Sequence, residues 1–210
     1  MGVAVTYQSR YGQVRRQRTI PRNPRSPLQM EWRAAFQKAR SFWGTLSDEQ
    51  FLAWDAAGQS RRVLSLLGRS GPISGYLVSV SVNARLAMVG QPMVTTPPPI
   101  PVFPSNPVTG LVVSNIAGNV SLQLQLSGKP GQYLLVYGAR PQNSGVTYVD
   151  HYPFLGVLPE QASETADINA LYAARFGVPA VGKRVFIRTV QQINGWQDRP
   201  QIFSARVPSA

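Results

Sequence analysis

The chain has 210 residues, a formal net charge of +12, 43% hydrophobic residues and no cysteine. This length and apolar content suit one substantial core or two small ones, and the lack of cysteine excludes disulfides, cysteine-ligated metal centres and thiol catalysis. The chain has no apolar run of the ~20 residues that a membrane-spanning helix requires, and its amino terminus has no secretory signal pattern.

The first 25 residues carry half of the net charge and contain no acidic residue. Their six arginines are Arg10, Arg15, Arg16, Arg18, Arg22 and Arg25. Few large aliphatic residues accompany these arginines, so residues 1–25 cannot form a core and are predicted to be an extended basic arm. Such an arm contacts nucleic-acid phosphates, lies as a strap on a neighbouring subunit with its arginines on carboxylates, or remains a solvated tail. Tyr7, Tyr11 and the turn expected at Gly12 favour the strap.

Two helices are predicted to follow the arm. Ser26 and Pro27 are typical of a helix start, and apolar residues recur at three- and four-residue spacing as far as Trp43. A second helix begins with a capping box at Ser47–Gln50 and is expected to stop at Gly58.

Three tryptophans lie on these two helices at Trp32, Trp43 and Trp54. Two short helices cannot bury three tryptophans between themselves, so part of this surface needs another segment or a partner chain. We predict that these tryptophans are interface anchors.

Residues 71–90 are compatible with two structures. Val78, Val80 and Val82 alternate with serines as in a strand, whereas the apolar residues from Ile73 to Ala87 also recur at helical spacing. We favour the helix, which gives a helical anchoring domain over residues 26–90.

A proline-rich segment separates this domain from the rest of the chain. Residues 90–107 contain seven prolines, a density that neither a helix nor a central strand tolerates. We predict a semi-rigid extended linker over residues 91–107.

Beyond the linker the apolar pattern changes to period two. Alternating runs occupy residues 111–116, 120–126, 133–137, 185–191 and 202–207. Asn194-Gly195 is a strong hairpin signal, glycine-rich turns are expected at 117–118, 128–131 and 143–145, and residues 164–176 are helical by composition. These features predict an antiparallel β-sandwich domain over residues 108–210 with one helical insert, and an α+β fold for the whole chain.

The catalytic inventory of the sequence is thin. His151 is the only histidine and is expected to be structural or on the surface, and the nine acidic residues form no general acid/base pair. We therefore expect no enzyme activity, no catalytic residue, no metal site, no cofactor and no small-molecule substrate. A weaker alternative is carbohydrate binding, with Tyr148, Tyr152 and Trp196 as sugar platforms.

Two parts of the sequence resemble known families. The run Asn23-Pro24-Arg25-Ser26-Pro27-x-Gln29, continued by Trp43-x-x-Leu46-Ser47-x-x-Gln50 and Ala53-Trp54, resembles a pattern in small proteins of tailed bacteriophages and prophages. Those proteins lie among virion structural genes and are mostly of unassigned function. Residues 185–196 are similar to the F strand and following turn of a fibronectin-type-III-like sandwich.

The resemblance implies a non-enzymatic virion structural protein of the capsid, connector or tail, of the decoration or cementing type, assembled in the bacterial host cytoplasm. Its expected partners are other virion proteins and copies of itself, with no membrane involved. The alternative is a nucleic-acid-binding structural protein whose arginine-rich arm contacts phosphates.

Overall fold

A computed structural model describes residues 4–9, 12–17, 26–64, 70–127, 133–158 and 164–209. The described residues form an α+β fold whose sheets are antiparallel. The helices are α1 (Pro27–Trp43), α2 (Asp48–Gln59), α3 (Gly75–Met88) and α4 (Asn169–Phe176). The strands are β1 (Ala4–Ser9), β2 (Gly12–Gln17), β3 (Arg62–Leu64), β4 (Ser70–Pro72), β5 (Val108–Ile116), β6 (Asn119–Leu126), β7 (Tyr133–Gly138), β8 (Phe154–Leu158), β9 (Thr165–Asp167), β10 (Arg184–Ile193), β11 (Trp196–Gln197) and β12 (Gln201–Arg206).

The first two helices begin where the sequence predicts. Ser26 occupies the cap position of α1 and Pro27 its first turn, but the Ser26 side chain makes no capping hydrogen bond. At α2 the capping box is complete, because the Ser47 hydroxyl accepts from the Gln50 amide and the Gln50 side chain accepts from the Ser47 amide. Two of the four orphan donors at this helix start are thereby satisfied.

Gly58 has a different role from the predicted helix stop. Helix α2 continues to Gln59, and Gly58 is buried where the chain before α3 crosses it. A Cβ at Gly58 would contact the Ile73 carbonyl oxygen and would lie 2.9 Å from the Gly75 nitrogen. The position therefore requires glycine for close backbone approach.

Residues 75–88 form a helix, as favoured over a strand, and α3 is the most buried of the helices described. Val80 and Ala84 pack with Ala39 of α1, while Val78, Val82 and Leu86 cluster with Leu46 and Trp54. Most of its surface is covered, which explains the mixed sequence pattern, since a helix buried on several faces shows weak amphipathic periodicity.

Two sheets contribute to a single core in the second half of the chain. One sheet has the order β11-β10-β7-β8, with β12 also paired to β10, and the other has the order β5-β6-β9. Buried residues from both sheets join one cluster that includes Leu122, Leu134, Leu155 and Ile187, together with Tyr172 of α4. The predicted alternation is clear in β6, whose even-numbered residues from Val120 to Leu126 are buried.

Two tight turns match their sequence signals. Ala117-Gly118 joins β5 to β6 and Asn194-Gly195 joins β10 to β11, and both residues of each pair have positive φ. Two consecutive positive φ values define the type I′ turn that suits the twist of paired strands. The turn predicted at 128–131 lies outside the described residues.

The helical insert is shorter than predicted. Residues 165–167 form β9, which pairs with β6, and the helix begins only at Asn169. Strand β8, which pairs with β7, has no counterpart among the predicted strands. Its five residues, Phe154–Leu158, are too few to show a clear alternation.

The helices and the large sheet contact each other directly. The Gln192 side chain of β10 donates to the Arg85 carbonyl of α3 at 2.9 Å, and the Gln91 side chain donates to the Tyr133 hydroxyl at 2.6 Å. Trp196 is buried in the cluster formed by the helices. These contacts lie between the two predicted domains, 26–90 and 108–210. The division into two domains remains a prediction.

The proline-rich segment has no helix or strand between Met88 and Val108, as its composition predicts. It is held on both sides through its carbonyl groups. The indole of Trp54 donates to the Thr95 carbonyl at 2.8 Å, and that of Trp196 to the Pro98 carbonyl at 3.1 Å. The side-chain Nε2 of Gln191 donates to the Pro104 carbonyl at 3.3 Å. Among the residues described, no helix has the length and apolar content to cross a bilayer.

Candidate interface formed by the amino-terminal hairpin and a groove beside α4

The described part of the basic arm is a two-stranded antiparallel hairpin. Strands β1 and β2 pair in register from Ala4 opposite Gln17 to Ser9 opposite Gly12. Residues 4–8 and 13–16 are all exposed, so neither face of this hairpin is covered. An isolated two-stranded hairpin is marginally stable in water, and this one gains little from burial.

The two faces of the hairpin differ in character. Side chains of directly paired residues lie on the same face, so Val5, Tyr7, Val14 and Arg16 share one face through the pairs Val5–Arg16 and Tyr7–Val14. The Arg16 guanidinium lies 5.5 Å from the centre of the Tyr7 ring, within range of a cation–π interaction. The three other side chains expose apolar surface, with 45% of Tyr7 accessible.

The opposite face is polar. It carries Thr6 opposite Arg15 and Gln8 opposite Gln13. The two described arginines of the arm, Arg15 and Arg16, therefore point to opposite sides of the hairpin. Arg10, Arg18, Arg22 and Arg25 lie outside the described residues.

The three predicted tryptophan anchors have different surroundings. Trp54 is fully buried, which favours a core role for it. Trp43 is half-buried, with its ring edge-on to Phe51 at 4.7 Å and to Tyr76 at 5.6 Å between ring centres. Trp32 is half-buried. Whether any of these tryptophans anchors a partner stays a prediction.

An aromatic cluster that the sequence patterns do not reveal connects α1 to the large sheet. The rings of Trp32 and Tyr137 both pack edge-on against Phe154, at 5.5 and 5.3 Å. The Arg188 guanidinium lies 4.7 Å from the Tyr137 ring centre and 5.7 Å from that of Tyr152. Burial raises the pKa of the Tyr137 hydroxyl, and the positive charge of Arg188 opposes that rise.

A large open groove lies between the start of α1, the chain around β8 and helix α4. Its volume is about 1210 Å³, above the ~300–1,000 Å³ typical of small-molecule pockets. Apolar side chains line it, among them Leu28, Leu155, Leu171 and Phe176. Its size and lining suit a peptide segment better than a compact ligand.

Several exposed residues around this groove are polar or charged. Arg140, Asp150, His151 and Arg175 line it and are all exposed. The Oε1 atom of Gln29, another lining residue, is buried without a hydrogen-bond partner. An occupant that brings a donor to this wall would satisfy that acceptor.

A second, smaller cleft contains two arginines at the junction of helices and sheet. The Arg61 guanidinium lies 4.4 Å from the centre of the Trp196 ring, and Arg85 lines the same cleft. Burial lowers the pKa of Arg85, with a smaller contribution from the charge of Arg61. Asp198 lies in the same cleft and supplies a negative charge there.

The structure offers no support for the sugar platform that includes Trp196. Its indole is only 3% exposed and lies under Arg61, so it presents no open face to a sugar ring. Tyr148 is exposed and Tyr152 half-buried. Within the described ranges, no three histidine or acidic side chains come together in a way that could hold a metal ion.

Comparison with known proteins identifies no relative. No protein-family model matches the sequence, and neither a curated protein nor a solved structure is similar to it at a significant level.

Proposed function

We propose that this chain is a non-enzymatic structural protein of a bacteriophage virion, in the capsid, connector or tail, that makes repeated contacts with other virion proteins and with copies of itself. The observation that carries the proposal is the amino-terminal hairpin, which has both faces exposed and an apolar side formed by Val5, Tyr7 and Val14. The sequence resemblance to phage proteins covers roughly residues 10–90, a range that includes the second strand of this hairpin.

The hairpin suits assembly because the side chains of residues 4–8 and 13–16 are exposed on both of its faces. Exposed apolar surface and unpaired strand edges are features that proteins usually cover. A partner surface that receives the hairpin would cover both and would stabilise it. In a repeated assembly, each such contact is modest and its effect is multiplied by symmetry.

The second half of the chain is proposed to be a β-sandwich of the fibronectin-type-III-like kind, displayed on the particle or packed against another copy. This rests on two antiparallel sheets that share one core. The helices of residues 26–90 would then form the anchoring domain.

A nucleic-acid role is the second candidate, and Arg15 is the observation that favours it. Arg15 stands on the polar face among Thr6, Gln8 and Gln13, side chains that can all contact phosphates. The apolar face does not suit phosphate contact, and this is why we rank protein assembly first.

Salt dependence separates the two roles. In a fluorescence-polarisation titration, phosphate contact predicts that the logarithm of the affinity for duplex DNA falls linearly with the logarithm of the salt concentration. An Arg15→Gln variant would lose one phosphate contact, so the magnitude of that slope should fall by about one. A protein strap predicts no appreciable DNA affinity in either protein.

Particle association tests the proposal itself. Particles produced from the genome that encodes this chain should be purified on a density gradient and probed with an antibody against the protein. We expect the full chain in the particle fraction and a chain starting at residue 26 to be depleted from it. Recovery of the full chain only from the particle-free fraction would contradict a virion role.

A further inference from the structure

We propose that the apolar face of the hairpin of one copy docks in the groove beside α4 of a neighbouring copy, so that the arm links identical subunits. This inference rests on the proposed function and names the partner of the hairpin as a second copy of the same chain. It joins two features of the chain, an amphipathic hairpin that is uncovered and a large apolar groove that is open.

The groove matches the hairpin in chemistry. The apolar face presents Val5, Tyr7 and Val14, and the groove presents Leu28, Leu171 and other apolar side chains. Contact between the two surfaces removes apolar area from water on both sides, which is the main driving force of association. The exposed charged residues around the groove leave a polar rim, the usual arrangement of a protein interface.

Groove size also favours a ribbon. At about 1210 Å³ the groove is larger than typical small-molecule pockets. A two-stranded segment that inserts Val5, Tyr7, Val14 and Arg16 together has a larger volume than a compact ligand and suits a groove of this size. The segment also carries peptide and guanidinium donors, the kind of group that the unpartnered Oε1 of Gln29 lacks.

Chain connectivity is compatible with contact between the hairpin of one copy and the groove of an adjacent copy. The segment from Gln17 to Ser26 spans at most about 30 Å when fully extended, and Ser26 itself lies at the groove. The described hairpin does not line the groove of its own chain. The hairpin of one copy can therefore meet the groove of a subunit in contact with it.

Such docking is head to tail, because each contact joins the hairpin of one copy to the groove of the next, which are different surfaces. Heterologous contacts of this kind generate rings when the rotation closes and filaments when it does not. Both outcomes are repeated assemblies, in agreement with the proposed function.

Sedimentation velocity of the full chain over a wide concentration range tests the contact. We expect association that weakens at least tenfold in the double variant Tyr7→Ser/Val14→Ser, which removes apolar surface from the docking face. The matched control is Thr6→Ala/Gln13→Ala on the polar face of the same hairpin, which should associate normally.

The groove is tested separately, since the hairpin variants alter a marginally stable element. Ala174 is exposed on α4 and lines the groove, so Ala174→Gln narrows it without touching the core. We expect this variant to associate at least tenfold more weakly. Leu52→Gln, at a residue 70% exposed on α2 and outside the groove lining, is the control and should not differ from the parent protein.

Cross-linking identifies which groove receives the hairpin. The chain has no cysteine, so single variants Val5→Cys and Ala174→Cys can be mixed and treated with a short bis-maleimide. We expect a product of two chains that is absent when Leu52→Cys replaces Ala174→Cys. A cross-link that closes within one monomeric chain in the double-cysteine variant would overturn docking between copies.

The remaining outcomes distinguish this inference from the proposed function. Association that persists in both the apolar-face and Ala174→Gln variants overturns the hairpin-to-groove contact and leaves a virion role that uses another surface. A chain that is monomeric at every concentration and also missing from particles overturns both.

Discussion

Replacement of Trp196 tests whether the helices and the large sheet are energetically coupled. The indole extends from β11 into the cluster that contains Trp54, Val82 and Leu86, and its Nε1 donates to the Pro98 carbonyl. It thus contacts the sheet, the helices and the proline-rich segment at once. Loss of this side chain should weaken the packing of these three parts against one another.

The expected magnitude follows from its contacts. Truncation of a buried tryptophan to alanine costs ~3–5 kcal/mol, and loss of its hydrogen bond adds ~1 kcal/mol. Removal of the ring under Arg61 adds ~0.5–1 kcal/mol because that cation lies partly in solvent. We expect Trp196→Ala to lose ~4.5–7 kcal/mol of stability, and Trp196→Phe ~1–2.5 kcal/mol because an aromatic ring remains. For a domain with ~5–15 kcal/mol of stability, the first variant is close to unfolding.

The assay uses the placement of the other tryptophans. The chain has four tryptophans, and without Trp196 those remaining are Trp32, Trp43 and Trp54 on α1 and α2. Their fluorescence during urea unfolding therefore reports on the helices and, through the contact of Trp32 with Phe154, on one edge of the large sheet, while circular dichroism reports on helices and strands together. Coupling predicts that the fluorescence midpoint of Trp196→Phe falls together with that from circular dichroism.

Ile202→Ala provides the control in this experiment. Ile202 is 50% exposed on β12, and its replacement should cost no more than ~1 kcal/mol. If the helices in Trp196→Phe unfold at the urea concentration of the parent chain while only the sheet signal shifts, the two parts are independent and the coupling argument is wrong.

Four further predictions address other parts of the chain. Burial raises the pKa of the Tyr172 hydroxyl above its unfolded value of 10.0, so the folded state keeps this proton to higher pH than the unfolded state does. The free energy of unfolding should therefore fall as pH rises above 10.0, and Tyr172→Phe should reduce this pH dependence in urea titrations. Gly58→Ala should destabilise the chain by ~2 kcal/mol or more, despite the ~1 kcal/mol gain in helix propensity, whereas Gly145→Ala, with open space around it, should have little effect on the thermal midpoint. Limited proteolysis of the free protein should cut within residues 1–25 and leave the remainder intact, and protection there in a demonstrated monomer would count against an arm ordered only by assembly. A fragment of residues 106–210 should give a β-type circular dichroism spectrum and a cooperative melt below that of the full chain; an unfolded fragment would rule out a separate domain.

Local signals in the sequence predict much of the fold. The capping box at Ser47, the Asn194-Gly195 turn and the alternation in 120–126 each depend on residues close together in the chain, and each is present in the structure. The elements that the sequence does not predict also have a physical reason. Strand β9 has only three residues and is specified by its pairing with β6, which no local pattern records.

The candidate sites are less predictable, because they depend on packing between distant segments. The sequence identifies the basic arm, but the separation of Arg15 and Arg16 onto opposite faces follows from the hairpin register. The groove combines residues near 28, 140–155 and 170–176. The difference between buried Trp54 and half-buried Trp43 likewise depends on α3, whose own structure was the most ambiguous in the sequence.

The proline-rich segment has a consequence for how the sequence can vary. Its neighbours bind it through the carbonyls of Thr95, Pro98 and Pro104, whereas side chains such as Val102 point into solvent, 96% exposed. Substitutions at such exposed positions should therefore be tolerated wherever the extended backbone is kept, whereas Val94 and Phe103 pack against the cluster that contains Trp54. Deletion or insertion of one residue between two acceptors is different, because it displaces them by about 3 Å relative to their fixed donors. Related chains should accordingly conserve the length of this segment more strictly than its composition.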